Sequence, residues 1–417
     1  MTGLVKRAII LKMTSSGIAI ESRTAGASRM SRALVLLMAA AAGLAVANIY
    51  YAQPLLDVIR QGLGMSVTAT GLIVTASQLG YGLGLTFLVP LGDLVERRIL
   101  VVAMTVGISA CLAAMAFAPS SSMLLAAALM VGALSAVAQV IVAFAATLAG
   151  PAEIGRVVGS VMSGLLLGIL LARIAAGYLA QLEGWRAVFA AASAFMVVLA
   201  LVLYRGLPPY RAHVAVSYPA LMKSVFSLLM EEPLLRLRSV YGAIGFASFS
   251  VLWTPLAMML SRPPYRFSSG TIGMFGLAGV AGTLSASLAG RMSDMGQVGP
   301  MTGITSSLLA LSWLPLKLGD HSVLILVFGI LLLDFAVQGL HITNQSEIYS
   351  LHPDARSRIT SAYMACYFAG GVFGSALSSF AYAHFGWDGV CIAGTALGAV
   401  ATVIWLLTLR KSTVPGT

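Results

Sequence analysis

Apolar runs of about 20 residues recur along the whole chain, separated by short polar interruptions. Twelve such runs can be drawn, spanning 34–56, 68–91, 99–118, 122–149, 155–181, 185–204, 235–260, 269–290, 300–317, 322–348, 357–383 and 388–409. Each is long enough to cross a bilayer as a helix, where every backbone polar group must bond within its own segment. The first 31 residues break this pattern. They carry Lys6, Arg7, Lys12, Arg23 and Arg29 between the polar stretches MTSSG and ESRTAGASR. AIILKM is too short and too interrupted to be the core of a signal peptide. The segment reads as a disordered basic tail before an uncleaved first helix, with Met30 as an alternative start.

Composition agrees with the pattern. Of 417 residues, 59% are apolar and 9% charged, and mean hydropathy is +0.93. A soluble domain carries about 25% charged residues, so this chain is an all-α integral membrane protein. The net charge of +11 would suit nucleic acid, but its distribution does not. With a cytoplasmic N-terminus, 19 of the 25 Lys and Arg fall in inside segments. Arg60, Arg186, Arg262, Arg266 and Lys317 fall outside, and Arg173 lies within a span. This is the positive-inside bias, and it predicts both termini in the cytoplasm of a multi-pass protein of the inner membrane. Cys111, Cys366 and Cys391 sit in apolar runs as small buried residues, without disulfide or metal spacing.

The chain repeats itself. Pro54 in YYAQPLL recurs as Pro255 in VLWTPLA, and Asp93 in VPLGDL as Asp294 in GRMSDM, both at an offset of 201. Pro151 recurs as Pro353, Arg156 as Arg358 and Trp185 as Trp387, all at 202. Five ordered matches with one insertion define two halves. The predicted organisation is a tail (1–31), a six-helix half (32–206), a cytoplasmic linker (207–232) and a second six-helix half (233–417). An even number of spans per half makes the repeats parallel, as in transporters with a central site near the bilayer midplane.

The loop VPLGDLVERR after the second span is similar to the major facilitator signature Gly-x-Leu-Ala/Gly-Asp-Arg-x-Gly-Arg-Arg/Lys, through Leu91, Gly92, Asp93, Arg97 and Arg98. Val89, Leu94 and Glu96 depart from it. The second-half copy keeps Gly290 and Asp294 but loses the basic end. With GWRAVF around Arg186, the chain resembles the major facilitator superfamily over nearly everything after residue 32. NIYYAQPLL at 48–56 resembles its drug–proton antiporter branch. Two antiporter features are damaged. GLLLGILLAR keeps Gly164 and Gly168, but Ile169 stands for the Pro and Ala172 and Arg173 for the final glycines; the usual arginine four before Gly132 is Ala128. The resemblance implies twelve helices in two six-helix halves around a central cavity and secondary active transport by alternating access. Proton-coupled export of a small organic solute is expected first. Proton-coupled uptake or facilitation is the alternative, and a membrane sensor without transport is the least favoured.

Candidate chemistry centres on the tenth span. Asp334, Gln338, His341 and Gln345 fall within an arc of roughly 60° and form a stripe about 16 Å long. An ion there costs roughly 2.5–3.5 kcal/mol on insertion scales, which calls for a cavity, a partner or proton exchange. A carboxylate and an imidazole on one wet face suit a proton relay; a buried clasp to a neighbouring helix is the alternative. Gln139 is the repeat counterpart of His341. Asn48, Tyr50, Tyr51 and Gln53 before Pro54, with Gln78 and Tyr81 on the second span, extend the expected substrate cavity. The tyrosines could instead form an interfacial belt. Phe246, Phe249 and Trp253 make an aromatic stripe, read as packing or as substrate stacking. Arg173, alone and deep in the fifth span, could balance Asp334, bind an anionic substrate or bond carbonyls. The pairs Gly80/Gly84, Gly164/Gly168 and Gly370/Gly374 are small contacts for close helix packing. Asp93, Arg97, Arg98 and Asp294 are expected to close the cytoplasmic side against Arg156 and Arg358.

No phosphate loop, ATP-binding domain or serine nucleophile elbow is present in the sequence, so an enzyme is not expected. The expected partners are a small-molecule substrate, the proton and the lipid bilayer, with no cofactor, metal or nucleic acid and a monomeric state.

Overall fold

The computed structural model describes residues 30–150, 153–211, 218–349, 351 and 356–412. Most of the basic tail, together with Pro151 and Pro353, lies outside them. The described residues form helices and turns, with no strand. Consecutive helices group into spans that are consistent with the twelve apolar runs. They are α1 (32–63), α2 (Val67–Asp93), α3 (Arg97–Ala116), α4 (Ser121–Leu148), α5 (Ile154–Glu183), α6 (Trp185–Gly206), α7 (Pro233–Leu260), α8 (269–294), α9 (298–318), α10 (Val323–Tyr349), α11 (356–385) and α12 (387–412).

Local chemistry sets the starts and breaks. Ser31, Ser66, Ser120 and Ser268 each accept a backbone N–H three residues on, satisfying donors that a helix start leaves unpaired. Proline has no N–H for the helix ladder, and α1 and α7 break at the equivalent Pro54 and Pro255. Gly184 (φ 82°) turns α5 into α6, and Gly386 (φ 62°) turns α11 into α12. A side chain is strained at such φ, so glycine precedes both repeat tryptophans. The linker is not all coil. It holds a helix, Tyr218–Glu231, and the Tyr218 hydroxyl donates to the Phe87 carbonyl (2.9 Å).

Within each half, glycines bring the backbones together. A Cβ on Gly80 or Gly84 would strike α4 carbonyls, one on Gly164 or Gly168 would strike α1, and one on Gly370 or Gly374 would strike α7. All three pairs serve packing inside a half. Large apolar side chains such as Leu36, Val197, Phe328, Phe373 and Leu407 are exposed on the periphery, as a lipid-facing belt requires.

The halves meet at the end remote from the chain termini. There Gly71, early in α2, faces Ser379, late in α11, and Gly177 of α5 faces Ser269 of α8. Toward the other end α11 still packs on residues 84–88 of α2, and the linker helix Tyr218–Glu231 touches both the 89–93 turn and the helix that begins at Arg356. A Cβ added at Gly155 or Gly159 of α5, or at Gly290 of α8, would meet nothing within 4 Å. The contacts between the halves named here lie toward the end remote from Arg32 and Ser412.

Candidate functional site

Four side chains form a chain across the junction of the halves. The α1 break turns Tyr50 and Gln53 toward α5. Gln53 Oε1 accepts from Arg173 Nε at 2.8 Å. The Arg173 guanidinium lies 4.9 Å from the Tyr50 ring centre and 4.1 Å from that of Trp253. Desolvated cation–π contacts of this kind are worth about 2 kcal/mol. Trp253 Nε1 then donates to Asp334 Oδ1 at 3.3 Å. Arg173 and Asp334 are 4% and 3% exposed, so both charges are enclosed by protein. They sit at matching depth: Asp334 is eleven residues from Val323, about 16 Å, and Arg173 ten residues from Glu183, about 15 Å. No Lys, Arg or His nitrogen among the described residues lies within 4 Å of the Asp334 carboxylate, and Arg173 Nη2 has no hydrogen-bond partner. α8 can come this close because Gly276 leaves room: a Cβ there would fall 3.0 Å from Arg173 Cδ.

The polar stripe of α10 runs from Asp334 toward Tyr349. Gln338, His341 and Gln345 are half-buried on it. His341 does not reach Asp334. Its Nδ1 pairs with the Tyr363 hydroxyl of α11 at 2.9 Å, and its ring lies on Tyr367 (4.5 Å). The α7 aromatics join the same cluster. Phe246 stacks on Tyr367 (4.3 Å) and Phe249 (5.6 Å), and Phe249 meets Trp253 (5.9 Å). A continuous aromatic path therefore links His341 to the Trp253–Asp334 pair.

Several expected cavity residues have other work. Asn48 is turned away from the centre. At the α1 break the Ile49 N–H shifts to the Val46 carbonyl. The Asn48 amide takes the freed carbonyls of Leu44 and Ala45 (both 3.0 Å) and meets Met196 of α6. Gln78 exchanges two hydrogen bonds with Ser250 of α7 (3.1 and 3.2 Å), a clasp between halves. Tyr81 is buried against Phe368 (4.7 Å) and bonded to Gln139. Trp253 is 4% exposed and Gln53 is buried. Tyr50, Tyr51 and Gln139 are half-buried. The seam adds residues that the sequence reading missed: Thr75 and Thr254 both donate to Ser375 Oγ (2.9 and 3.1 Å). Small hydroxyls in apolar spans are common helix-packing residues, and only the α2–α11 register singles these out.

The profile of the Major Facilitator Superfamily matches residues 35–353. The chain belongs to the major facilitator superfamily. The chain is 50% identical over 376 residues to the uncharacterized transporter YgaY of Escherichia coli, covering 90% of this chain and 95% of that one. It is 26% identical over 359 residues to the inner membrane transport protein YnfM of Escherichia coli, covering 85% and 86%. Solved structures of superfamily folds overlay on it. A bacterial homologue of the human lysosomal transporter Spinster gives a TM-score of 0.75 at 14% identity, covering 91% and 96%. The nucleoside transporter NupG gives 0.75 at 12% identity, covering 90% and 99%. The protein is thus a transporter with the superfamily fold, not an enzyme.

The superfamily loop after α2 behaves differently from expectation. Arg97 is buried and works inside its own half. It bonds the carbonyls of Gly92 and Ala143 and the Thr147 hydroxyl, and pairs with Asp93 at 2.8 Å. Arg98 pairs with Glu96 (3.3 Å) and Arg156 with Glu153 (3.0 Å). Each of these ion pairs lies within the first half. The Asp294 side chain lies outside the described residues, and Arg358 is half-buried at the start of α11.

Proposed function

We propose that this transporter exports a small organic solute in exchange for protons across the cytoplasmic membrane. Both termini then lie in the cytoplasm, on the strength of the Lys and Arg bias, and in this reading the Gly71–Ser379 and Gly177–Ser269 seam lies on the outer side. One observation carries the proton assignment. Among the described residues, Asp334 is enclosed at the junction of the halves, with a single hydrogen bond and no cation in contact. A carboxylate placed so is strongly favoured to exchange a proton when its surroundings change.

In this reading Asp334 is the principal proton site, reached along the half-buried stripe of Gln338, His341 and Gln345. His341 adjusts the stripe through Tyr363 and Tyr367 and does not relay protons directly. Gln139 and Gln338 orient substrate or water, with Tyr50 on the facing wall. Proton and substrate exclude each other at Asp334, so binding one favours release of the other. The proton gradient supplies the energy and the transporter works as a monomer.

The test is flux in proteoliposomes across a panel of amphipathic organic solutes, under imposed pH and sodium gradients separately. Uphill solute movement driven by the pH gradient alone, in the direction opposite to proton flow, is the expected result. Drive by sodium alone, or solute moving with the proton, would overturn the exchange reading.

A further inference from the structure

An exchanger leaks whenever the carrier crosses empty, so its substrate-free, deprotonated form must be held in place. A contact suited to that task lies between the halves. We propose that Trp253 is a positioning residue that ties closure of the outer seam to the charge on Asp334; this rests on Asp334 being the proton site.

Trp253 ends the first segment of α7, directly before the Thr254–Pro255 break. Its two sides serve different halves. The indole N–H is committed to Asp334 in its own half, and the ring face holds Arg173 of the other half. The guanidinium has no carboxylate partner and one unbonded nitrogen. The Arg173 stem packs on Gly276 of α8, and the charged head meets the second half through the indole. Both ends of this contact reach the seam. The Arg173 carbonyl is the atom that Gly273 of α8 packs against. The next residue after Trp253, Thr254, donates to Ser375, which also receives Thr75 of the first half. A displaced indole would loosen the α5–α8 and α2–α11 contacts together.

The charge on Asp334 sets the indole. An ionised carboxylate accepts a charge-assisted bond, about twice as strong as a neutral one, and also attracts the guanidinium behind the ring. A proton removes both effects. The groups facing Asp334 are Arg173 from α5, Tyr50 from α1, Tyr367 from α11 and Trp253 from α7; α8 presents Gly279. Arg173 is the only charged one. The deprotonated empty carrier is thus latched shut on the outside, and a proton or a cationic substrate group at Asp334 releases it.

The latch can be read from outside. Ser379 is buried at the seam against Gly71. With the three native cysteines replaced by alanine, S379C in right-side-out vesicles is labelled by a membrane-impermeant maleimide without substrate. Divided at each pH by the rate of a freely exposed cysteine, so that thiolate ionisation cancels, labelling should be slow at alkaline pH and roughly tenfold faster at mildly acidic pH, the scale set by losing one bond to a charged group. W253F keeps a ring under Arg173 but loses the donor. It should label fast at both pH values, as should D334N, and the double variant should be no faster. Should W253F fail to fold, R173Q cuts the same chain from the other half and carries the same expectation. A W253F or R173Q rate that keeps the wild-type pH dependence overturns the latch alone. A wild-type rate blind to pH likewise overturns the latch, while the proton reading of Asp334 stands or falls separately on pH-driven flux by D334N.

Discussion

At the scale of single residues, Gln53, Arg173, Trp253 and Asp334 link the two halves through one buried chain of contacts. Asp334 and Arg173 stand out because a charge in an apolar run is costly and rare. Gln53 lies 120 positions from Arg173 and Trp253 lies 81 from Asp334, and no periodicity within one helix fixes the register between two. Tyr363 and Tyr367 were missed for a related reason: an aromatic in an apolar span reads as packing until a polar neighbour is placed beside it. Their spacing of four, facing the α10 stripe, was the available signal. The His341–Tyr363 bond predicts that His341→Gln shifts the pH optimum of transport without abolishing it, and that Tyr363→Phe shifts it in the same direction by less. Transport that vanishes in His341→Gln while the protein stays folded would make the imidazole an obligatory proton carrier. Arg97 has a different part. It spends its donors on Gly92, Ala143 and Thr147 within one half. Arg97→Ala should therefore lower stability by about 2 kcal/mol, the cost of stranding buried acceptors, and reduce the melting temperature in detergent. The proton-to-substrate ratio of the surviving protein should not change. A changed ratio would restore Arg97 to the gate.

At the scale of helices, the breaks were readable from proline and the seams were not. Pro54 and Pro255 mark where α1 and α7 bend, because the missing N–H acts locally. The seams depend on side chains small enough to let two halves touch, and a glycine in an apolar run does not announce what it faces. Gly71 faces Ser379 and Gly177 faces Ser269. Adding bulk at either position should push the outer ends apart while leaving each half intact. In a cysteine-free background, Gly71→Val and Gly177→Val should each raise outside labelling of a cysteine at Ser375. They should also lower labelling from the cytoplasm of a cysteine at Gly290. Labelling that does not change at either end would mean that the seams are not what closes the outer side. The expected contacts of Asp93 and Arg156 with the opposite half are not the ones seen: each turns to a partner in its own half.

At the scale of the molecule, the sequence repeat and the apolar runs carried most of the architecture. The matched tryptophans sit after matched left-handed glycines, and the matched prolines at matched breaks, so the 201–202 offset is a structural repeat. Where the halves touch could not be read from it, because only side-chain contacts between them decide. With the termini in the cytoplasm, Gly155→Cys and Gly290→Cys should be labelled from the cytoplasmic face in the absence of substrate, and S379C should not. The most direct test of the whole account is the coupling of Asp334→Asn, which mimics the protonated carboxyl at nearly constant volume. Proteoliposomes carrying wild type and variant would be compared for net uphill flux under a pH gradient and for substrate counterflow without one. The account predicts that the variant loses pH-driven uphill flux while counterflow persists. Uphill flux by Asp334→Asn with an unaltered proton-to-substrate ratio would contradict it.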